Sequence, residues 1–319
     1  FMKRSKCIDE DQTKSNDAND SSTALRSKSR AYEYNLCQSS KQHLYSACTI
    51  EGTVDVVLTT FKRNQLRDQL DSVVKQTKHV SRIWVVQNEN HFDVEHTISQ
   101  WKSDRDSDVS VELIRFSSNA KYHGRFYVAY FMSNADYVSI WDDDVVIGSD
   151  WLRHCITLSR MNGDALIGGN GRTIMALLTG SGGPNYATQE QLEGENDFVG
   201  HSWTLRRELL RAYFSQIPET YETGEDVQLS FALQNVGLKS IKATQHGDAT
   251  CKDHHFATDQ HASTGQKNLQ EIRQWLLCKL LARGFKTINC SNCDTSTVQE
   301  CVAIFEPRAR NAISDQNVT

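Results

Sequence analysis

Residues 54–88 read VDVVLTTFKRNQLRDQLDSVVKQTKHVSRIWVVQN, and this stretch decides the fold. "VDVVLTT" (54–60) is a β-branched run of the kind buried on both faces of a sheet. "NQLRDQLDSVVKQT" (64–77) follows, with Leu66, Leu70, Val73 and Val74 on one helical face. "RIWVVQN" (82–88) is again a buried strand. A strand, a helix and a strand in this order form a crossover, so the sheet is parallel and covered by helices.

The alternation continues along the chain. Strands are expected at 109–116, 137–141, within 165–174, at the start of 197–214 and at 238–243. Helices are expected at 125–132, 151–160, at the end of 197–214, at 224–237 and at 268–284. Residues 176–196 are rich in Gly, Ser and Thr and read as a long mobile loop. Its "GSGGP" (180–184) suits a lid over a bound donor. Residues 1–50 are polar and weakly patterned, a stem or partly ordered arm. The domain reading is therefore an arm at 1–50, a catalytic domain at 51–284 and a cysteine-containing tail at 285–319.

Composition narrows the function. A formal net charge of −5 lacks the basic excess of a nucleic-acid binder. No run of 18 apolar residues is present, so no membrane segment is expected in this chain. The nine cysteines are an odd number, so at least one stays unpaired or pairs between chains. "NCSNCDTSTVQEC" in the tail suits a disulfide or zinc, and zinc lacks a second pair at suitable spacing. Sequons at Asn19, Asn289 and Asn317 point toward a secretory lumen.

The chemistry concentrates in "YVSIWDDDVVIG" (137–148), where three aspartates end an apolar strand. Ligands of open α/β sheets sit outside such strand ends. A hard divalent cation relieves the repulsion between carboxylates, and magnesium or manganese uses one or two of them plus phosphate oxygens. On a strand, Asp142 and Asp144 would share one side and Asp143 the other. An EF-hand is excluded, because Val146 and Ile147 stand where an oxygen ligand and glycine are needed.

The ordered set "VVLTTFKR", "IWVVQNEN", "KYHGRF", "SIWDDDVVIG", "IGGNGR", "FVGHSWTLRREL" and "GEDVQLSF" resembles nucleotide-sugar glycosyltransferases of the GT-A fold. The "DDD" form of D-x-D with the downstream "GED" is similar to the exostosin-like members. The resemblance implies an α/β, Rossmann-like mixed sheet flanked by helices. It implies a metal-dependent hexosyl-, hexosaminyl- or pentosyltransferase that takes a nucleotide-diphosphate sugar, a UDP-sugar first. The acceptor is a hydroxyl of a glycan or glycoprotein. It implies donor contacts from Thr59, Thr60, Arg63, Asn88, Lys121, Arg125, Asp142 and Asp143. Asp144 becomes the direct ligand of Mn2+ or Mg2+, with His261, or else His246, as the downstream ligand. His201 and Trp203 lie on the acceptor side. Asp226, then Glu225, is the catalytic acid group: general base in an inverting enzyme, stabiliser of an oxocarbenium-like state or acceptor holder in a retaining one. The resemblance and the sequons together place the enzyme in the Golgi or secretory lumen, its anchor outside this chain, with the cytoplasm second. Two other readings stay open. A nucleotidyltransferase would need a Gly-rich loop after the first strand, which "TTFKRNQ" lacks. A carbohydrate- or calcium-binding module would not need "GED" together with D-x-D.

Overall fold

The computed structural model describes residues 51–105, 107–178, 185–188, 194–245, 247–253 and 267–316. The arm at 1–50, the lid at 180–184, and His246 and His261 lie outside these residues.

The first crossover forms as the sequence implies. Strand β1 (Val54–Thr60) is buried throughout, helix α1 (Leu66–Val74) buries Leu66, Leu70 and Val73, and β2 (Arg82–Gln87) pairs parallel with β1. Alternate residues serve two cores. Val54, Val56 and Leu58 pack toward α1, whereas Val57 packs on the opposite face of the sheet, so the strand reads as a continuous apolar run. Helix α2 (Val94–Asp104) and β3 (Ser110–Arg115) follow, then α3 (Gly124–Phe131) and β4 (Tyr137–Trp141). Strands β3, β2, β1 and β4 lie side by side and parallel.

The second half turns the sheet mixed. After β5 (Val145–Ile147) and α4 (Trp151–Met161) come β6 (Leu166–Ala176), β7 (Asn185–Thr188), β8 (Gly194–Asn196) and β9 (Phe198–Arg206). β9 runs antiparallel between β4 and β6. A short helix α5 (Leu210–Phe214) and α6 (Glu225–Gln234) precede β10 (Ser240–Lys242), which pairs parallel with β6, and β11 (Cys251–Asp253), which pairs with β5. The main sheet thus runs β3-β2-β1-β4-β9-β6-β10-β8, with β7 on β6. This mixed, mostly parallel sheet between helices is a GT-A type, Rossmann-like arrangement.

Several elements differ from the sequence reading, the short strands β5 and β11 among them. Helix α2 was not anticipated; Asp93 caps it by accepting a hydrogen bond from the His96 N–H at 2.9 Å. Part of the segment expected as a loop at 176–196 forms β7 and β8, which extend the sheet. The cysteine tail carries a long helix α8 (Thr295–Gln316), packed on α7 (Lys267–Ala282). Asp294 opens α8: its carboxylate accepts the Thr297 N–H at 3.0 Å. Hydrogen bonds from Ser296 and Thr297 hold that carboxyl down at about 2.

Cys278 on α7 and Cys301 on α8 form a disulfide, and Cys290 pairs with Cys293, so both tail pairings are disulfides rather than a zinc site. Residues Ile50–Thr319 form one compact unit. Replacing Cys301 with serine opens a loop of sequence separation 23. It should lower unfolding free energy by about 2–4 kcal/mol. A denaturant midpoint equal to that of the parent protein would show that helix packing alone holds the hairpin.

Candidate active site

The site forms where the parallel strands end. Asp142 follows β4 directly: its N–H donates to the His201 carbonyl at 3.0 Å, and its own carbonyl accepts from Gln69 at 2.6 Å. Asp143 and Asp144 make the turn into β5. That turn interrupts the strand, so simple alternation does not set the partners of the triplet. Instead Asp143 and Asp144 both face Arg63, at 2.6 and 3.5 Å, while Asp142 pairs with Arg125. Burial pushes the Asp143 carboxyl up to about 6; Arg63 opposes this, and the two neighbouring aspartates add to it.

Arg125 is the centre of the arrangement. It sits at the first turn of α3 and is 4% exposed. One guanidinium nitrogen binds Asp142, and the other donates to Glu225 at 2.6 Å. Its Cζ lies over the Trp203 ring, 4.4 Å from the centroid. Burial acts to discharge this guanidinium, and Asp142 and Glu225 outweigh it, so its pKa is raised. Trp203, expected as an acceptor-stacking residue, is itself 1% exposed and donates its indole N–H to the Val199 carbonyl. It supports Arg125 from below and offers no open ring face.

The acidic pair opens α6. Gly224 precedes it at φ 76, a left-handed conformation that favours glycine, and a Cβ there would have to displace the Leu276 Cδ2 methyl, 2.2 Å away. Glu225 is buried, and its carboxyl is pushed up to about 7 by burial; Arg125 opposes this and Asp226 adds to it. Asp226 accepts from the Val227 N–H at 2.9 Å and lies 3.4 Å from Arg273 on α7. Sequence reasoning missed Arg273. The signal was present: Arg273 falls among Leu269, Ile272 and Leu276 on the apolar stripe of its helix, where a charge needs a partner. Burial works against the charge on Arg273, and Asp226 and Glu225 raise its pKa.

The other donor-side candidates surround this centre. The Thr59 hydroxyl donates to the Trp141 carbonyl and that of Thr60 to the Val86 carbonyl, which ties adjacent strand ends together. Asn88 donates to the Lys121 carbonyl at 2.9 Å, and the Lys121 ammonium pairs with Glu222 at 2.9 Å. His201 has a left-handed backbone, φ 66, and its ring meets the Asn170 amide at 3.4 Å. Arg63, the triplet, Arg125, Trp203, Glu225, Asp226 and His201 are thus brought into one constellation. Among the described residues, no group of three His, Cys, Asp or Glu side chains is arranged to hold a metal by itself.

The site is thus an α/β sheet with carboxylates at the end of a parallel strand and an acidic helix start beside them. The profile of glycosyl transferase family 2 matches residues 55–214, which is 160 of 319 residues, and the chain belongs to that family. It is a glycosyltransferase of the GT-A fold. No curated protein sequence matches it. Among solved structures it is similar to the mannosyltransferase PcManGT from Pyrobaculum calidifontis, determined in complex with GDP-Man and Mn2+. The TM-score is 0.53 at 13% identity, over 93% of this chain and 85% of that one. At that identity the likeness speaks for the fold.

Proposed function

We propose that this glycosyltransferase moves a sugar from a nucleotide-diphosphate sugar to a hydroxyl of a glycan or glycoprotein, with Mn2+ or Mg2+ as cofactor. The observation that carries the reading is the Arg125 bridge, which joins the triplet through Asp142 to the acidic pair through Glu225. A donor held at the triplet therefore lies beside Asp226.

The donor set suits a hard cation. Asp142 and Asp144 each keep 24% side-chain exposure, so carboxylate oxygens reach solvent at the strand end. Asp144 would be the direct ligand and Asp142 the ribose or water-shell contact, with His261, then His246, as the downstream ligand. When bound, the cation supplies charge neutralisation to the departing diphosphate. Arg63 sets the orientation of Asp143 and Asp144, and Arg125 that of Asp142. Asp226 acts as general base on the acceptor hydroxyl, the inverting alternative; its side chain keeps 13% exposure, with Oδ2 lying over Gly200. The exostosin-like placement rests on the "DDD" and "GED" motifs alone. A UDP-sugar is the first donor to try, and the GDP-Man complex of the similar mannosyltransferase makes GDP-mannose the competitor. Two disulfides favour an oxidising compartment such as the Golgi lumen. Among the described residues no helix is long and apolar enough to cross a membrane.

The test is a panel of UDP- and GDP-sugars with manganese, read as nucleotide release with and without EDTA. Release from one donor class, lost with EDTA and in Asp144→Ala, is expected. Release that ignores both EDTA and the substitution would remove the metal from the reading.

A further inference from the structure

We propose that Gly200 is the floor of the acceptor subsite and limits what can approach Asp226; this rests on the reading of Asp226 as the base. Four glycines lie in β6 and β9. Three are explained by packing. A Cβ on Gly168 would lie 2.4 Å from Val199, on Gly169 2.5 Å from Cys251 Sγ, and on Gly171 2.6 Å from Asn196. Gly200 is different. Its φ is not positive, and among the described residues, its chain neighbours aside, a Cβ would meet within 4 Å one atom, Asp226 Oδ2 at 3.8 Å. A β-bulge in β9 follows Gly200, between its pair with Asn170 and that of Trp203 with Gly168, but the left-handed position of the bulge is His201 and not the glycine, and packing against the described residues does not ask for glycine either. Glycine inside a strand then marks a place where a ligand approaches the backbone closely.

The position fits that use. Gly200 pairs across the sheet with Asn170, and the next pair on the same face is Phe198 with Arg172. Phe198 belongs to the core under α6 and α7, so Gly200 stands where that core stops. One residue further, His201 turns left-handed, gives its carbonyl to the Asp142 N–H and its ring to Asn170. The floor is therefore one residue from the strand end that bears the triplet. Asp226 stands over it on α6, with Oδ2 toward Arg273. The space over Gly200 accepts a hydroxyl-bearing carbon with a flat sugar face against the strand, between the base and the donor end.

The test uses the donor that releases nucleotide in the panel and the methyl glycosides of mannose, galactose and xylose as acceptors. The readout is the ratio of transfer to hydrolysis, since water needs less room than a sugar. Gly200→Val is expected to lower that ratio about tenfold or more, and Gly200→Ala to lower it less. Thermal unfolding and nucleotide binding are followed in parallel; if the valine variant does not fold, the alanine variant carries the test. Both variants partitioning as the parent enzyme does would overturn the proposal while leaving the donor reading intact. A parent enzyme that releases no nucleotide from any donor overturns both. Gly200→Cys adds a readout independent of acceptor: peptide mapping should find its thiol labelled by a methanethiosulfonate in the folded enzyme, and an unreactive thiol overturns the open floor.

Discussion

Asp226→Asn is expected to lower kcat by about 10²–10⁴-fold, the range for loss of a positioned general base, with donor affinity largely kept. The amide keeps the size of the side chain and can still accept from the Val227 N–H, so the start of α6 is preserved. What it removes is the capacity to take a proton from the acceptor hydroxyl. The ordinary role for an acid at this position is stabilisation of a helix N-terminus. A variant that turns over near the parent rate would reduce Asp226 to that role. Nucleotide affinity separates the cases, since the triplet and Arg63 are untouched.

Arg125→Met should cost about 3–5 kcal/mol of stability and abolish turnover, because it strands the buried Glu225 carboxyl, and leaves the half-buried Asp142, without their cation. Glu225 makes the loss depend on pH. Its carboxyl is raised from an ordinary 4.5 to about 7 in the folded protein, chiefly by burial. A raised carboxyl favours the protonated fold, so its unfavourable contribution is absent below the unfolded value and grows as pH rises through the folded one. Without Arg125 only the weaker pull of Arg273 opposes burial, and the carboxyl rises further. The deficit of Arg125→Met should therefore be largest above neutrality and shrink toward about pH 5. Adding Glu225→Gln to the variant should recover part of it. Urea unfolding at about pH 5 and pH 8 measures this; equal deficits at both would show that Glu225 does not carry the penalty.

Much of the frame was legible because it follows from local pattern. The β-branched run at 54–60 and the apolar spacing at 66–74 each have one low-energy solution, and both formed with nearly the expected bounds. Helix α8 was less legible. Its buried positions, Val298, Cys301, Phe305, Ala309 and Ala312, are spaced for a helix, but most are small or thiol-bearing, and Pro307 lies inside. Such a stripe gains its burial from α7, not from its own hydrophobicity. In the site, "DDD" and "GED" were visible as acidic groups needing partners. Which cation answered each carboxylate was not, because Arg63, Arg125 and Arg273 come from separate elements.

Local pattern was enough for the parallel crossover, the strand that ends in Asp142–Asp144 and the helix that begins with Glu225 and Asp226. These depend on periodicity, on turn residues and on a glycine that permits a left-handed cap, all local properties of the chain. Tertiary structure decided the partners. The turn at Asp143–Asp144 interrupted the strand, packing on Trp203 carried Arg125 inside between two acids, and α7 delivered Arg273 to Asp226. A buried charge takes the counter-charge that the fold brings within reach, and sequence spacing does not encode that distance.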